Sequence, residues 1–168
     1  KHTKFADALD DITEGLFKTH IKGATEKIRR AKGDKDFCVS VFKDNSGAIR
    51  FDDNWLLTVK AETHNSPSAL DPFGGAITGI VGVNRDTIGF GLGAKPVINQ
   101  YAFCFADPSD TTLIYRDAEL TNQMLSPRRI IDGVIKGVNV GGNCSGIPTH
   151  PGLVYFDPRY KGKPLVFV

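Results

Sequence analysis

Apolar residues near the start of the chain recur every three to four positions, at Leu9, Ile12, Leu16, Ile21, Ala24 and Ile28. That period places them on one face of a helix. Acidic residues come early in the stretch and Lys27, Arg29 and Arg30 come late, the order a helix dipole favours. Gly15 and Gly23 lower helix propensity and leave open a split into two helices. Gly33 is the stop signal, so residues 1–35 read as a helical lead-in. FCVSVF at 37–42 reads as a strand, Asn45-Ser46-Gly47 as a turn, and 48–51 as a segment able to pair back. WLLTVKAE at 55–62 reads as a second, firm strand.

The texture changes from 67 to 93, where Gly74, Gly75, Gly79, Gly82, Gly89, Gly91 and Gly93 crowd together. Residues 76–83 still suit a helix, because small residues permit close approach to a sheet. Residues 97–105 read as a strand and 107–125 as a long polar excursion. Ser126-Pro127 is a helix start, a capping side chain followed by proline at the first helical position. Ile130, Ile131, Val134, Ile135 and Val138 supply that helix's buried face, and Gly141-Gly142 is expected to end it. Residues 153–156 and 165–168 read as late strands. Strands mixed with two long helices define an α/β or α+β class.

Composition narrows the class further. With 168 residues, 40% hydrophobic and 24% charged, the chain suits one folded domain rather than a disordered one. Its 21 basic and 19 acidic residues leave a formal charge of +2, which gives no electrostatic case for a nucleic-acid or membrane partner. No apolar run approaches the ~20 residues of a membrane span. Cys38, Cys104 and Cys144 form neither a CxxC pair nor a disulfide framework, as suits a reducing cytoplasm. The chain opens at Lys1 without an initiator methionine and closes on the apolar run Leu165-Val166-Phe167-Val168. Both features lead us to expect a piece of a longer polypeptide.

Chemistry concentrates in KAETHNSPSALDPFGGAITGIVGVNRD, residues 60–86. Glu62, Thr63, His64, Asn65 and Ser66 are consecutive polar residues directly after an apolar strand. A strand end followed by a polar loop and a glycine-rich helix start is a common ligand site, whose backbone amides can receive phosphate oxygens. Glu62 and Asp86 are hard carboxylates able to bind Mg²⁺ together with phosphate oxygens and water. Lys60 or Arg85 can neutralise phosphate, and His64 is the general acid or base in reach. Each has a plainer reading. A strand-end Glu is often only solvated, a single His is often a hydrogen-bonded structural residue, and Asp86 after Arg85 also suits a cap or a surface ion pair. The glycines also suit packing and turns alone. No GxxxxGK[ST] loop is present.

The order of motifs nevertheless carries a resemblance. ETHNSPSA at 62–69, Gly74-Gly75-Ala76 through Gly79, Arg85-Asp86 and Gly93-Ala94-Lys95-Pro96 resemble the synthetase subunit of phosphoribosylformylglycinamidine synthase (formylglycinamide ribonucleotide amidotransferase). SPRRIIDGVIKGVNVGG at 126–142, Gly146-Ile147-Pro148-Thr149 and Tyr155-Phe156-Asp157-Pro158 follow in the same order. The resemblance covers most of 37–168, and its ETHN string is the specific element. Sibling ATP-dependent synthases, such as aminoimidazole ribonucleotide synthetase and selenophosphate synthetase, share the fold but not that string.

The resemblance implies an α+β domain of the aminoimidazole-ribonucleotide-synthetase amino-terminal type: a mixed or antiparallel sheet of about four strands with helices on one face. It implies a single ATP- and substrate-binding domain over 1–168, with 107–125 as an insertion. It implies a ligase of purine biosynthesis. ATP activates the amide oxygen of formylglycinamide ribonucleotide as an iminophosphate, and ammonia from a glutaminase subunit or domain displaces phosphate. Carried over by position, Lys60 and His2 contact ATP, and Glu62 and Asp86 bind Mg²⁺. Thr63, His64, Asn65, Ser66 and Arg85 contact substrate, and His64 moves the proton. Ser66 stands where the family usually has a second His, His150-Pro151-Gly152-Leu153 where Gly-Gly-Glu is usual, and His2 where a nucleotide-contacting Tyr is usual. The family's sheet packs on a second copy, so a lone copy should expose apolar sheet surface and seek a homodimer partner or second half. Such a half-site is expected to catalyse weakly or not at all. Two alternatives remain: a non-catalytic dimerisation or scaffold domain of the same fold, and a sibling ATP-dependent synthase.

Overall fold

Lys22 and Gly23 mark a change of winding rather than a break in the first helix. In the computed structural model, which describes residues 15–150 and 152–168, a π-wound stretch, Phe17–Lys22, runs directly into helix α1, Gly23–Lys32. Gly23 keeps helical angles (φ −62°, ψ −40°), so it does not split the segment. Gly33, at φ 52°, ends it as expected. Leu9, Ile12 and His2 lie outside the described residues. The apolar stripe of the described part faces outward, with Ile21 and Ile28 each more than half exposed. Strands β1 (Cys38–Ser40), β2 (Gly47–Arg50) and β3 (Leu56–Val59) form a three-stranded sheet in that order. β1 and β2 are antiparallel, with an irregularity between Cys38 and Ser40. The reversal before β3 is an Asx turn, in which Asp52 Oδ1 accepts from the N–H groups of Asn54 and Trp55, both at 2.8 Å. Arg29 ties the helix to β1, donating to Asp36 Oδ2 (2.7 Å) and to the Cys38 carbonyl (2.8 Å).

These elements belong to the first of two compact units, Lys1–Thr58; the second is Val59–Val168. The second unit contains α2 (Asn65–Leu70), α3 (Pro72–Ile88), β4 (Ala102–Phe105), α4 (Pro127–Ser145), β5 (Leu153–Phe156) and β6 (Leu165–Phe167). Its sheet has the order β5-β4-β6. β5 runs parallel to β4, with Ala102 opposite Leu153, and β6 runs antiparallel, with Ala102 opposite Phe167. Residues 62–64 add a further antiparallel rung outside β6, through the Thr63–Phe167 bridge. The α+β class and the mixed sheet are as expected, but the strands are shared between two small sheets.

Helices α3 and α4 cover one face of this second sheet. Tyr101, Phe103 and Phe105 alternate onto that face, their rings stacked at 6.1 and 5.9 Å. They meet Ala76, Ile80 and Val83 of α3, Ile130 and Val134 of α4, and Val166 and Val168. Edge strand β5 is open along its whole length: Leu153, Val154, Tyr155 and Phe156, which alternate between the two faces, are each 50–57% exposed.

Both helices start by the same rule, a capping oxygen followed by proline. Ser126 Oγ accepts from Arg129 N–H (3.3 Å) ahead of Pro127. Asp71 Oδ1 accepts from Gly74 N–H (3.2 Å) ahead of Pro72. The second start is why α3 begins earlier than the 76–83 read from small residues. The expected stop at Gly141-Gly142 does not occur; α4 continues to Ser145 and closes on left-handed Gly146 (φ 63°). Gly141 instead packs on Ile77 and Ile80 of α3. With Gly133 and Gly137 it forms a side-chain-free stripe at four-residue spacing, which lets the two helix backbones approach closely. Among the described residues no helix is long and apolar enough to cross a membrane, and Cys38, Cys104 and Cys144 are all free.

The excursion at 107–125 contains no helix or strand beyond one bridge, Tyr115 with Gln123. It is anchored by Lys161 Nζ, which donates to both oxygens of Asp110 at 2.8 Å.

Two predictions follow from this packing. A Cβ on Gly137 would lie 2.5 Å from the Phe73 carbonyl oxygen and 2.9 Å from the Ala76 Cβ, whereas one on Gly82 meets nothing within 4 Å. Overpacking costs roughly 1–3 kcal/mol, against about 1 kcal/mol recovered in helix propensity. Gly137→Ala should therefore lower stability by up to about 2 kcal/mol, and Gly82→Ala should raise it by roughly 0.5–1 kcal/mol. Denaturant melts that respond equally to the two changes would contradict the close helix contact. The Lys161 hydrogen bond, followed by the Thr112 amide, holds the Asp110 carboxyl down at about 2. A depressed carboxyl pKa stabilises the fold above its unfolded value near 4 and ceases to do so as pH falls through about 2. The excursion should thus stay docked at pH 5 and loosen toward pH 2, seen as an NMR shift of the Thr112 amide. Lys161→Met should move that transition to higher pH.

Candidate functional site

Beyond β3 the chain stays extended and meets the outer edge of β6. Glu62 and Val168 exchange both backbone hydrogen bonds, at 2.9 and 3.0 Å. The next pair should be His64 with Val166, but only half of it forms. His64 N–H donates to the Val166 carbonyl at 2.8 Å. The His64 carbonyl is already taken by the first turn of α2, accepting from Ser68 N–H (3.3 Å) and Ser68 Oγ (2.6 Å). The Val166 N–H is satisfied instead by Asn65 Oδ1 at 2.8 Å. Val166 is fully buried, so this replacement removes what would otherwise be an orphaned amide. Asn65 is how the chain leaves the sheet and enters a helix without losing a bond.

Alternation along this extended segment places Lys60, Glu62 and His64 on one face and Thr63 on the other. The first face meets α3. His64 Nδ1 lies 2.5 Å from the Gly75 carbonyl. A carbonyl only accepts, so Nδ1 carries the proton and Nε2 is the free basic nitrogen of the neutral ring. Gly79 lies beneath the ring, where a Cβ would stand 3.0 Å from His64 Cβ. Further along α3, Asp86 reaches Lys60: Nζ to Asp86 Oδ2 is 2.8 Å, and Nζ to Glu62 Oε1 is 2.9 Å. From Lys60 to His64 a strand advances about 13 Å, and from Asp86 back to Gly75 a helix spans about 16 Å. The matched lengths let one helix serve both ends of the segment.

Glu62 and Asp86 therefore converge on a single cation, the Lys60 ammonium. Hydrogen bonds from Lys60 to Asp86 and then to Glu62 hold that ammonium charged, raising its pKa above the ordinary lysine value. All three side chains are partly open to solvent, at 23% for Lys60, 46% for Glu62 and 32% for Asp86. Two carboxylates gathered around one positive charge fit a hard divalent ion that takes its other ligands from phosphate and water. Among the described residues no third His, Cys, Asp or Glu joins such a group. Arg85 is exposed in the last turn of α3, beside Asp86, and Ser66 is exposed in the first turn of α2. Thr63 is exposed and bridged to Phe167. His2 lies outside the described residues.

The residues passed over by sequence reading are Gly75 and Gly79. In the sequence they read as packing, as a phosphate-receiving helix start and as part of the motif order, yet the Gly75 carbonyl meets His64 Nδ1 and Gly79 leaves room for the ring. Their signal was a four-residue spacing inside a helix, directly downstream of the histidine.

Comparison with known proteins supplies the family. Residues 43–168 match the AIR synthase related protein, N-terminal domain, and the chain belongs to that family. A similar protein is the phosphoribosylformylglycinamidine synthase subunit PurL of Thermoplasma volcanium, 36% identical over 131 residues, covering 78% of this chain and 16% of that protein. Among solved structures, T. maritima PurL complexed with ADP superimposes with a TM-score of 0.56 at 29% identity, over 78% of this chain and 18% of that one. T. maritima PurL complexed with FGAR gives 0.55 at 29% identity, over 86% of this chain and 19% of that one. The chain thus spans about one-sixth to one-fifth of the length of the proteins it matches.

The bond to Val166 separates two roles for Asn65. Asn65→Ala should leave a buried amide unpaired and cost about 1–3 kcal/mol. Asn65→Asp keeps an acceptor at the same place and should retain most of that stability above pH 5. Equal losses in denaturant melts of the two variants would remove the hydrogen bond as the reason for Asn65.

Proposed function

We propose that this chain is the ATP- and substrate-binding amino-terminal part of a phosphoribosylformylglycinamidine synthase subunit. The observation that carries the reading is the convergence of Lys60, Glu62 and Asp86 on the face that also presents His64. The similar solved structures hold ADP and FGAR, in keeping with a nucleotide and an amide-bearing substrate here.

Phosphoryl transfer is catalysed by positioning and charge neutralisation, and asks for carboxylates and cations rather than a nucleophile. Glu62 and Asp86 would hold Mg²⁺, which when bound offsets phosphate charge. Lys60 and Arg85 supply fixed positive charge for phosphate groups. Asn65 and Ser66 stand in the first turn of α2 where substrate would lie, with the Asn65 amide nitrogen left for it once Oδ1 holds Val166. Thr63, on the opposite face of the segment, is a substrate contact only as the resemblance carries it over. The amide oxygen of formylglycinamide ribonucleotide takes the γ-phosphoryl group of ATP. Ammonia then attacks the activated carbon, phosphate leaves with its oxygen, and the surplus proton of the attacking nitrogen passes to His64 Nε2. The Gly75 carbonyl fixes the tautomer of the neutral ring, with the proton on Nδ1 and the Nε2 lone pair aimed outward for that step. Where the family usually has a second His, Ser66 offers a shorter hydroxyl to the substrate.

The half-exposed edge strand β5 supports a partner covering the sheet, either a second synthetase-like half or a second copy of this chain. A glutaminase subunit or domain would provide the ammonia. The free cysteines and the biosynthetic substrate suit the cytoplasm.

The test is His64→Ala in the full-length protein, assayed with ammonia in place of glutamine. Loss of one proton-transfer group costs about 10²–10⁴-fold in rate, so kcat should fall by that amount while the fold persists. Turnover near wild type would remove His64 from the mechanism and favour a scaffold role for the domain.

A further inference from the structure

We propose that Lys60 is a resident counter-cation: it holds the Glu62–Asp86 pair assembled before nucleotide arrives and closes that pair to a free divalent ion. The inference rests on the reading of Glu62 and Asp86 as a cation site, and adds an order of binding to it.

Glu62 stands on the extended segment and Asp86 on α3, so no single element fixes their separation. Two carboxylates facing one point repel each other unless a positive charge sits between them. The ammonium does so here, at 2.9 Å from Glu62 Oε1 and 2.8 Å from Asp86 Oδ2. The oxygens it bonds are those a hard ion would take, and such an ion needs them at roughly 2.0–2.1 Å. The ammonium and a divalent ion cannot share that space, because both are cations and both claim the same lone pairs. A free ion must therefore displace Lys60 and leave it without a partner.

A polyphosphate changes the balance. Its oxygens offer the ammonium a new anionic partner, and the four-carbon stem of lysine is flexible enough to follow. With Lys60 drawn onto phosphate, the two carboxylates are released to an ion carried by the same polyphosphate. The favoured ligand is thus a nucleoside triphosphate already bearing its divalent ion, with the ion not entering ahead of it. Linkage makes this reciprocal: polyphosphate raises ion affinity by the same factor as the ion raises polyphosphate affinity.

The probe is Mn²⁺, followed by the loss of its free EPR signal on titration into nucleotide-free full-length protein. The relevant binding is the part that Asp86→Asn removes. Lys60→Met, of similar length and uncharged, should tighten that binding at least about tenfold, as expected for deleting a cation in contact with both ligands. Lys60→Arg should leave it as weak as in the wild type. Should Lys60→Met fail to fold, Lys60→Gln serves in its place. If the uncharged variants bind Mn²⁺ no more tightly than wild type while Asp86→Asn still abolishes the binding, the counter-cation role is overturned and the cation site stands. If Asp86→Asn and Glu62→Gln remove no Mn²⁺ from any variant, the site reading fails and this inference with it.

Discussion

One contested backbone acceptor organises the second unit. The His64 carbonyl can complete the sheet or start a helix, but not both. It starts the helix, and Asn65 completes the sheet in its place. Because of that exchange, residues 62–64 lie flat against β6 while the polypeptide immediately after them turns onto α2 and α3. A chemistry-bearing segment can then be held by the sheet through its backbone and read by α3 through its side chains. Buried amides tolerate no vacancy, so the arrangement has little freedom to drift.

Close approach is the second condition. Gly75 admits the backbone of α2 and Gly79 admits the His64 ring against α3, and glycines at 133, 137 and 141 admit α4 against α3. An alanine at most of these points would push a backbone or a ring away. Helix propensity is given up in return for distance, which is why a stretch that reads as flexible forms a helix of 17 residues. The same stripe explains the firm placing of Asp86: α3 is wedged between α4 and the site segment, and its register against both is set before its last turn reaches Lys60.

Much of this was legible in the chain, and the gaps have physical causes. Ser126-Pro127 announced α4 because cap and proline act locally. The equivalent Asp71-Pro72 start was obscured by the glycines that follow it. Gly141-Gly142 looked like a stop because helix propensity is a local quantity, whereas the reason those residues stay helical is the surface of α3. Glu62 and Asp86 were paired on the chemistry of hard cations, and they do converge. Their meeting on Lys60 required knowing that strand alternation continues to His64 and that α3 returns along the same line. The role of Asn65 could not be read at all, since Val166 lies 101 positions away.

Asp86 occupies the last turn of α3, just ahead of the Gly89 cap, whereas Glu62 is locked into the sheet by paired amide bonds. Helix ends open far more readily than core strands. One carboxylate of the pair therefore stands on backbone paired into the sheet and the other on a helix terminus, the kind of segment that opens more readily. Anything that grips both oxygens staples the helix terminus to the sheet, and the protection of the α3 end against amide exchange becomes a direct report of occupancy. The domain need not change shape to signal that its site is filled; it need only stop unwinding at one end.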